Sequence, residues 1–240
     1  MRVAALYDIH GNLPALRAVL EEVDELGVDT IVAGGDVASG PMPAETLDVL
    51  RRRRAVFVRG NADRVLDVGD ADGREAWVRA RRWVGERLGS ERLAFLASLP
   101  LDVTLDLPRL GAVRFCHGAP GSDTLTITLL TPNERLRELL AGVEERVVVC
   151  GHTHVQFDRV VDGIRVVNAG SVGAPYEAEP AAYWALLGDG IDLRRTAYDV
   201  AGALAEIEAT GYPRAADFVA GLTPDPARPS RMSALIEGAA

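Results

Sequence analysis

Short apolar runs alternate with amphipathic segments over the first sixty residues. Apolar runs at 3–7, 30–33 and 55–59 predict three short buried strands. After the first strand, apolar side chains recur at helical spacing at Leu13, Leu16, Val19, Leu20 and Val23. Pro43 begins a second helix that we expect to reach about Arg53. This β-α-β-α-β order predicts parallel strands.

The second half of the chain is predicted to be mainly antiparallel. Apolar side chains alternate with polar or small ones from Leu101 to Leu107, which predicts a half-buried strand. Further strands are predicted at 112–116 and 146–150, and hairpin turns at Asp162-Gly163 and Asp189-Gly190. Two sheets packed together, with helices outside, fit this order best.

The remaining segments are predicted to surround the sheets. Residues 72–99 favour a helical cover that carries Trp77 and Trp83. Thr131 to Glu134 has the pattern of a capping box, with Pro132 at the first helical position of a helix reaching about Ala141. Residues 118–130 lack a clear period and are a candidate active-site loop. After about residue 201 we expect a peripheral helix, and then an extended, weakly ordered tail around 224–229.

Composition restricts the class of protein. The chain has 240 residues and 48% hydrophobic composition, enough for a core in one domain at 1–200 with a dependent appendage at 201–240. No apolar run reaches the ~18 residues of a membrane span, and we expect a cytoplasmic protein. Cys116 and Cys150 are expected to be reduced core thiols. The net charge of −9 argues against long nucleic acid and anionic membranes as partners.

All four histidines lie in short motifs typical of metal ligands. They are His10 in Asp8-Ile9-His10, His117 after Cys116, and His152 and His154 in Gly151-His152-Thr153-His154. Asp36 and Asn61 each follow a predicted strand, as Asp8 does, and the carboxyl ends of parallel strands meet at one edge of a sheet. The sequence therefore predicts a site for two divalent ions, with Asp36 as the best candidate for a shared ligand.

The charge of such a site indicates its substrate. Asp8 and Asp36 contribute two negative charges against about four positive charges from two divalent ions, so the site would carry roughly +2. A cavity of that sign selects an anion, and phosphate esters are the obvious candidates. Imidazole-rich ligation suits Mn, Fe, Zn, Co or Ni better than Ca or Mg alone, and we expect Mn.

The ordered set of Asp8, His10, Asp36, Asn61, His117, His152 and His154 resembles the signature of the calcineurin-like metallophosphoesterases, over roughly residues 1–200. The resemblance implies an α/β fold, a four-layer α/β/β/α sandwich of two mixed β-sheets flanked by helices. It implies one ion held by Asp8, His10, Asp36 and His154, and a second held by Asp36, Asn61, His117 and His152. A hydroxide bridging the two ions would attack the phosphorus.

Two departures from the family pattern bear on function. The family often has a proton-donating His after the Asn, oriented by the following acid, whereas this chain has Ala62 and Asp63. Loss of a general acid typically costs about 10²–10⁴ in rate, most for poor leaving groups. We therefore expect a phosphodiesterase like the small bacterial and archaeal members, with Asp36, Asn61, His117 and Asp63 as the catalytic set.

The second departure is Tyr176, which follows Pro175 where related sequences often have a phosphate-binding Arg. Stacking of Tyr176 on an aromatic leaving group or base is one interpretation, and packing is the favoured one. Alternative activities are phosphomonoesterase, dinucleoside polyphosphate hydrolase and protein phosphatase. A metal-bound regulatory module with little turnover is a further alternative. The oligomeric state stays open.

Overall fold

A computed structural model describes residues 1–64 and 75–238. Within these ranges the strands form two five-stranded sheets. The first sheet contains β1 (Val3–Leu6), β2 (Thr30–Ala33), β3 (Val56–Phe57), β9 (Ala182–Leu187) and β10 (Ile191–Thr196), in the order β10-β9-β1-β2-β3. The second contains β4 (Asp102–Leu107), β5 (Gly111–Cys116), β6 (Val147–Cys150), β7 (Phe157–Val161) and β8 (Ile164–Asn168), in the order β4-β5-β6-β8-β7.

Helices cover the outer faces of both sheets. They are α1 (Leu13–Glu25), α2 (Pro43–Arg52), α3 (Glu75–Ala97), α4 (Asn133–Leu139), α5 (Val200–Ala209), α6 (Ala215–Gly221) and α7 (Arg228–Glu237). A single 3-10 turn covers Asn61–Asp63. Helix α3 is broken at Gly89, whose φ is 69°. The described part of the chain contains no helix with the length and apolar character that crossing a membrane requires.

The period-2 alternation of the strands builds the layers. Val3, Ala5 and Tyr7 point into the core between the two sheets, where they meet Phe115 and Val149. The alternate β1 residues, Ala4 and Leu6, point to the opposite face and pack in the cluster that contains α1, α2 and α3. The side chains of β6 alternate between the two faces in the same way, because Val148 and Cys150 pack outward with Leu136 of α4. The predicted sandwich of two mixed sheets flanked by helices is confirmed.

The strands of the second half of the chain pair mainly in antiparallel fashion, as predicted, because β4-β5, β7-β8, β9-β10 and β1-β9 are antiparallel. Strands β1, β2 and β3 are parallel, as predicted. In the second sheet, however, β5-β6 and β6-β8 are parallel, and only β4-β5 and β7-β8 are antiparallel. The connection from β5 to β6 runs through α4 and is long enough for a crossover, which places both strands in the same direction. The carboxyl ends of β5 and β6 consequently meet at one edge.

Two local predictions were wrong. Thr131 does not cap α4; its hydroxyl donates a hydrogen bond to Glu237 Oε2 at 2.6 Å, while Pro132 occupies the N-cap position without a side-chain hydrogen bond. The expected extended tail instead leads into α7, in which Arg228 and Ser233 are buried. The first residues of the predicted 72–99 helix lie outside the described residues, and the remainder forms α3. The division at residue 200 stays a prediction.

Candidate metal centre

The seven predicted ligand residues lie together at one edge of the sandwich. Asp8 and His10 follow β1, Asp36 follows β2, and Asn61 begins the 3-10 turn after β3. His117 follows β5 directly, and the His152–His154 segment follows β6. Each loop leaves the carboxyl end of a parallel strand, so both sheets contribute ligands to one centre.

Six of these side chains form two adjoining groups. Asp8, His10 and His154 form one group, and Asp36, His117 and His152 form the other; within each, the candidate ligand atoms all lie within 4.8 Å of one another. Asn61 adjoins the second group, with its Oδ1 3.2 Å from His117 Nε2. Asp36 Oδ2 lies between the groups, 3.7 Å from His10 Nε2 and 3.6 Å from His117 Nε2. This is the position expected of a shared carboxylate.

The two carboxylates are held in the same way. Asp8 Oδ2 accepts a hydrogen bond from the His152 backbone N–H at 2.8 Å, and Asp36 Oδ1 accepts one from the Ala62 N–H at 2.7 Å. The other oxygen of each faces the centre. Asp8 Oδ1 is buried and accepts no hydrogen bond from any described residue, although His154 Nε2 lies 3.2 Å away. A buried oxygen without a donor is costly unless a cation sits against it.

The histidine rings are oriented by their outer nitrogens. The Nδ1 atoms of His10, His117 and His154 face the backbone carbonyl oxygens of Ser39, Gly34 and Ala174, at 3.3, 3.0 and 2.6 Å. A carbonyl only accepts, so each neutral ring carries its proton on Nδ1 and turns the Nε2 lone pair inward. The Nε2 atoms of His10 and His154 then face each other at 3.2 Å, an arrangement that a cation between them would stabilise. The donor set therefore fits divalent ions.

The electrostatics agree with that conclusion. Burial acts to lower the pKa of His117, but the charges of Asp36 and Asp8 outweigh it and raise the pKa to about 10. Burial acts to raise the pKa of Asp36, whereas His117 and His10 bring it below its usual range. Two buried carboxylates thus stabilise positive charge at the centre.

Five of the seven candidate ligands have left-handed backbone conformations. Their φ angles are positive, between 49° and 65°, at Asp8, His10, Asp36, His152 and His154. This conformation is uncommon for residues other than glycine, and residues that adopt it cluster at functional sites. Neighbouring loops hold it in place, because the N–H groups of Asp8 and His10 donate to the carbonyl oxygens of Gly35 and Asp36 at 3.1 and 2.8 Å.

Asp63 holds the backbone of the Asp36 loop. Its carboxylate is buried and accepts hydrogen bonds from the N–H groups of Asp36, Val37 and Gly60, at 2.8, 3.0 and 3.0 Å. Burial first, and the charge of Asp36 second, raise the pKa of Asp63 to about 7. Its contacts point to a role in positioning this loop, and its place in the predicted catalytic set stays a prediction.

Two residues that sequence reasoning did not single out also support the centre. Ser171 Oγ donates to the Asp8 carbonyl oxygen at 2.7 Å, and Asn168 Nδ2 donates to the Gly151 carbonyl oxygen at 2.6 Å. Neither residue belongs to the motifs that predicted the ligands. The role of the Asn168–Ser171 loop follows instead from contacts with residues up to 163 positions away in the chain.

The centre opens into a cleft of about 330 Å³. Ala62 and Tyr176 line it next to the ligands, and Trp77 lines it from α3. The Tyr176 ring stacks on His154, with centroids 4.7 Å apart and an interplanar angle of 22°, which is a packing contact with a candidate ligand residue. The predicted active-site loop, 118–130, does not line this cleft. It supports the His152–His154 segment indirectly, through a hydrogen bond from Thr153 Oγ1 to the Ile127 carbonyl oxygen at 3.3 Å.

Gly60 gives a direct test of this geometry. A Cβ atom at this position would lie 2.2 Å from both Asp36 N and Asp36 Oδ1, so Gly60→Ala must displace the Asp36 carboxylate. We expect Mn²⁺ affinity, measured by isothermal titration calorimetry, to fall about 10–100-fold, as it does when metal ligands lose their support. Gly190→Ala is the control, because a Cβ there meets no atom within 4 Å. Unchanged Mn²⁺ binding by Gly60→Ala would contradict the assignment of Asp36.

Comparisons with known proteins agree with this site. Residues 1–188 match the family model of the calcineurin-like phosphoesterase superfamily domain. An uncharacterized protein of Methanocaldococcus jannaschii is 25% identical over 230 residues, covering 85% of this chain and 91% of that protein.

Two solved structures extend the likeness to the fold. A hypothetical protein of Pyrococcus horikoshii has a TM-score of 0.81 at 21% identity, covering 93% of this chain and 98% of that one. A metallophosphoesterase of Sphaerobacter thermophilus has a TM-score of 0.73 at 25% identity, covering 92% and 98%. With the family match over most of its length, the chain belongs to the calcineurin-like phosphoesterase superfamily.

Proposed function

We propose that this protein hydrolyses phosphoesters with two divalent metal ions, and that phosphodiesters with good leaving groups are its preferred substrates. The main support for the proposal is the arrangement of the candidate metal-binding atoms. Asp8 Oδ1, Asp36 Oδ2 and the Nε2 atoms of three histidines converge at the centre, while the opposite side of each group is fixed to the backbone. Membership of a phosphoesterase superfamily supports the reaction class.

In this proposal each ion has four protein ligands. Asp8, His10, Asp36 and His154 hold the first, and Asp36, Asn61, His117 and His152 hold the second. When bound, two such ions polarise the phosphoryl group and lower the pKa of the water that attacks it. The donor set suits Mn, Fe, Zn, Co or Ni, and we propose Mn.

The charge of the centre supports a phosphoester substrate. Only two of the proposed ligands are anionic, so two divalent ions leave roughly two positive charges uncompensated. This sign favours a substrate that is itself anionic, and the centre would oppose the negative charge that develops on a phosphoryl group during attack.

The residues around the cleft support the preference for good leaving groups. Ala62 lines the cleft beside Asn61 and offers no proton donor. Every histidine of the chain is among the proposed ligands, and none is left to protonate a departing alkoxide. A leaving group can depart without accepting a proton when the pKa of its conjugate acid is low, as for the phenol released from an aryl diester.

The first prediction of the proposed function concerns substrate class. With Mn²⁺, the protein should hydrolyse bis-p-nitrophenyl phosphate faster than p-nitrophenyl phosphate, and a chelator should abolish both activities. Release of p-nitrophenolate measures each rate. Equal or faster turnover of the monoester would contradict the diester preference and support a monoesterase. Absence of turnover on both, with Mn²⁺ shown to be bound, would refute hydrolysis and leave a metal-bound regulatory module.

A second prediction concerns Ala62. The substitution Ala62→His would place an imidazole in the cleft, where it can protonate a poor leaving group. We expect turnover of phenyl phosphate to rise about tenfold or more, a part of the ~10²–10⁴ that general acids contribute. Ala62→Gln is the control, because its amide is polar and of similar length but does not supply an acidic proton. No gain in Ala62→His, or the same gain in Ala62→Gln, would refute the missing-acid explanation.

A further inference from the structure

The cleft has a second wall, which is formed by residues that are not proposed metal ligands. Trp77 and Arg81 reach it from α3, and Tyr212, Arg214 and Phe218 reach it from α6 and the segment just before it. The family model ends at residue 188, so the C-terminal part of this wall lies outside the segment matched to the family. The wall thus adds features to the cleft that the catalytic centre itself does not require.

The most distinctive contact in this wall is a stack of two flat groups. The Arg214 guanidinium carbon lies 3.3 Å from the centroid of the Trp77 ring. Asp217 orients that guanidinium, because Arg214 Nε donates to Asp217 Oδ2 at 2.8 Å. Trp77 nevertheless remains 42% exposed, an unusual exposure for a large apolar ring beside a catalytic centre.

The segment that carries Arg214 is held firmly. Tyr212 is buried and makes edge contacts with Trp83 and Phe218, at centroid distances of 5.3 and 6.4 Å. At the other end of α6, the buried Arg228 donates a hydrogen bond to the Gly221 carbonyl oxygen at 2.6 Å. A surface anchored at both ends can present Arg214 to a ligand without a large cost in ordering.

We propose that Trp77 and Arg214 form a subsite for the planar organic group of the substrate, a nucleobase or a similar aromatic ring, while its phosphoryl group lies at the metal centre. This subsite rests on the proposed function. Aromatic rings and guanidinium planes are the groups on which bases stack. The specificity of the enzyme would then be set by the second wall, and its chemistry by the metal centre.

The size and charge of the cleft favour this class of substrate. A volume of about 330 Å³ falls at the small end of the ~300–1,000 Å³ range of small-molecule pockets. It suits a single nucleotide unit better than a folded phosphoprotein. The cleft also opens onto the metal centre, where the two proposed ions leave positive charge uncompensated, and this favours an anionic ligand.

Two diesters with the same leaving group test the subsite. p-Nitrophenyl thymidine 5′-phosphate and methyl p-nitrophenyl phosphate both release p-nitrophenolate, and they differ in whether the retained group carries a base. We expect the wild-type protein with Mn²⁺ to have at least a tenfold higher kcat/KM on the thymidine ester. Trp77→Ala should lower that ratio about tenfold, through loss of stacking, and leave kcat/KM on the methyl ester unchanged.

Three further variants sharpen the result. Trp77→Phe should keep most of the ratio because it retains an aromatic face, and Arg214→Ala should lower it. Leu129→Ala, at an exposed apolar position that does not line the cleft, should leave both rates unchanged. Thermal unfolding of each variant identifies any that fail to fold. A wild-type ratio near one, or an equal loss on both esters in Trp77→Ala, would overturn the subsite.

A binding measurement separates this proposal from the proposed function. Thymidine 5′-monophosphate should quench the intrinsic fluorescence of the wild-type protein, and the quenching should be largely lost in Trp77→Phe. Trp184 is fully buried, and Trp83 is partly buried against the core with the Arg87 guanidinium over its ring. Hydrolysis of neither ester by the Mn²⁺-loaded protein would refute the proposed function, while Trp77-dependent quenching would still support the subsite. Hydrolysis of both esters with no Trp77-dependent quenching would refute the subsite alone.

Discussion

Asp8 and Asp36 are two buried carboxylates that share one small centre, and this constraint determines much of the surrounding structure. Each is fixed by a backbone N–H on one oxygen and turns the other oxygen inward. Like charges held so close in a buried setting destabilise a fold unless positive charge lies between them. The charges of Asp36 and Asp8 raise the pKa of His117, and the Nε2 atoms of His10 and His154 face each other in the same centre. Both features fit a centre that binds cations.

The layers of the fold bring these groups together at little cost to the core. Alternation along β1 and β6 fills the space between the sheets and the spaces under the helices. The polar residues begin where those strands end, so the core is not interrupted. The strain is confined to short loops, in which five candidate ligand residues have positive φ angles and backbone hydrogen bonds from neighbouring loops hold them. Asp63, Ser171 and Asn168 complete that support with hydrogen bonds to the backbone.

Much of this arrangement was predictable from the sequence, because it depends on local patterns. The apolar runs before Asp8, Asp36 and Asn61 predict strands, and parallel strands bring their carboxyl ends to one edge. The four histidines stand in motifs short enough to recognise without a structure. Even the shared position of Asp36 follows from its place in the central β-α-β series, although its role as a metal ligand stays a proposal.

The predictions that were wrong depend on contacts between distant segments. Thr131 has the local pattern of a helix cap, but its hydroxyl bonds to Glu237, 106 residues later in the chain. The Pro-rich segment before α7 suggests an extended tail, whereas Arg228 is buried and anchors α6. Local patterns likewise gave no sign that Arg214 stacks on Trp77, so the second wall of the cleft was visible only in the folded chain.

The central claim is that Asp36 is shared by two metal ions, and anomalous diffraction from crystals soaked in Mn²⁺ tests it most directly. The account predicts two Mn²⁺ peaks about 3.5–4 Å apart on either side of Asp36 Oδ2, one beside His10 and His154 and the other beside Asn61, His117 and His152. A single fully occupied peak, or two peaks with Asp36 bound to neither or only one of them, would contradict it.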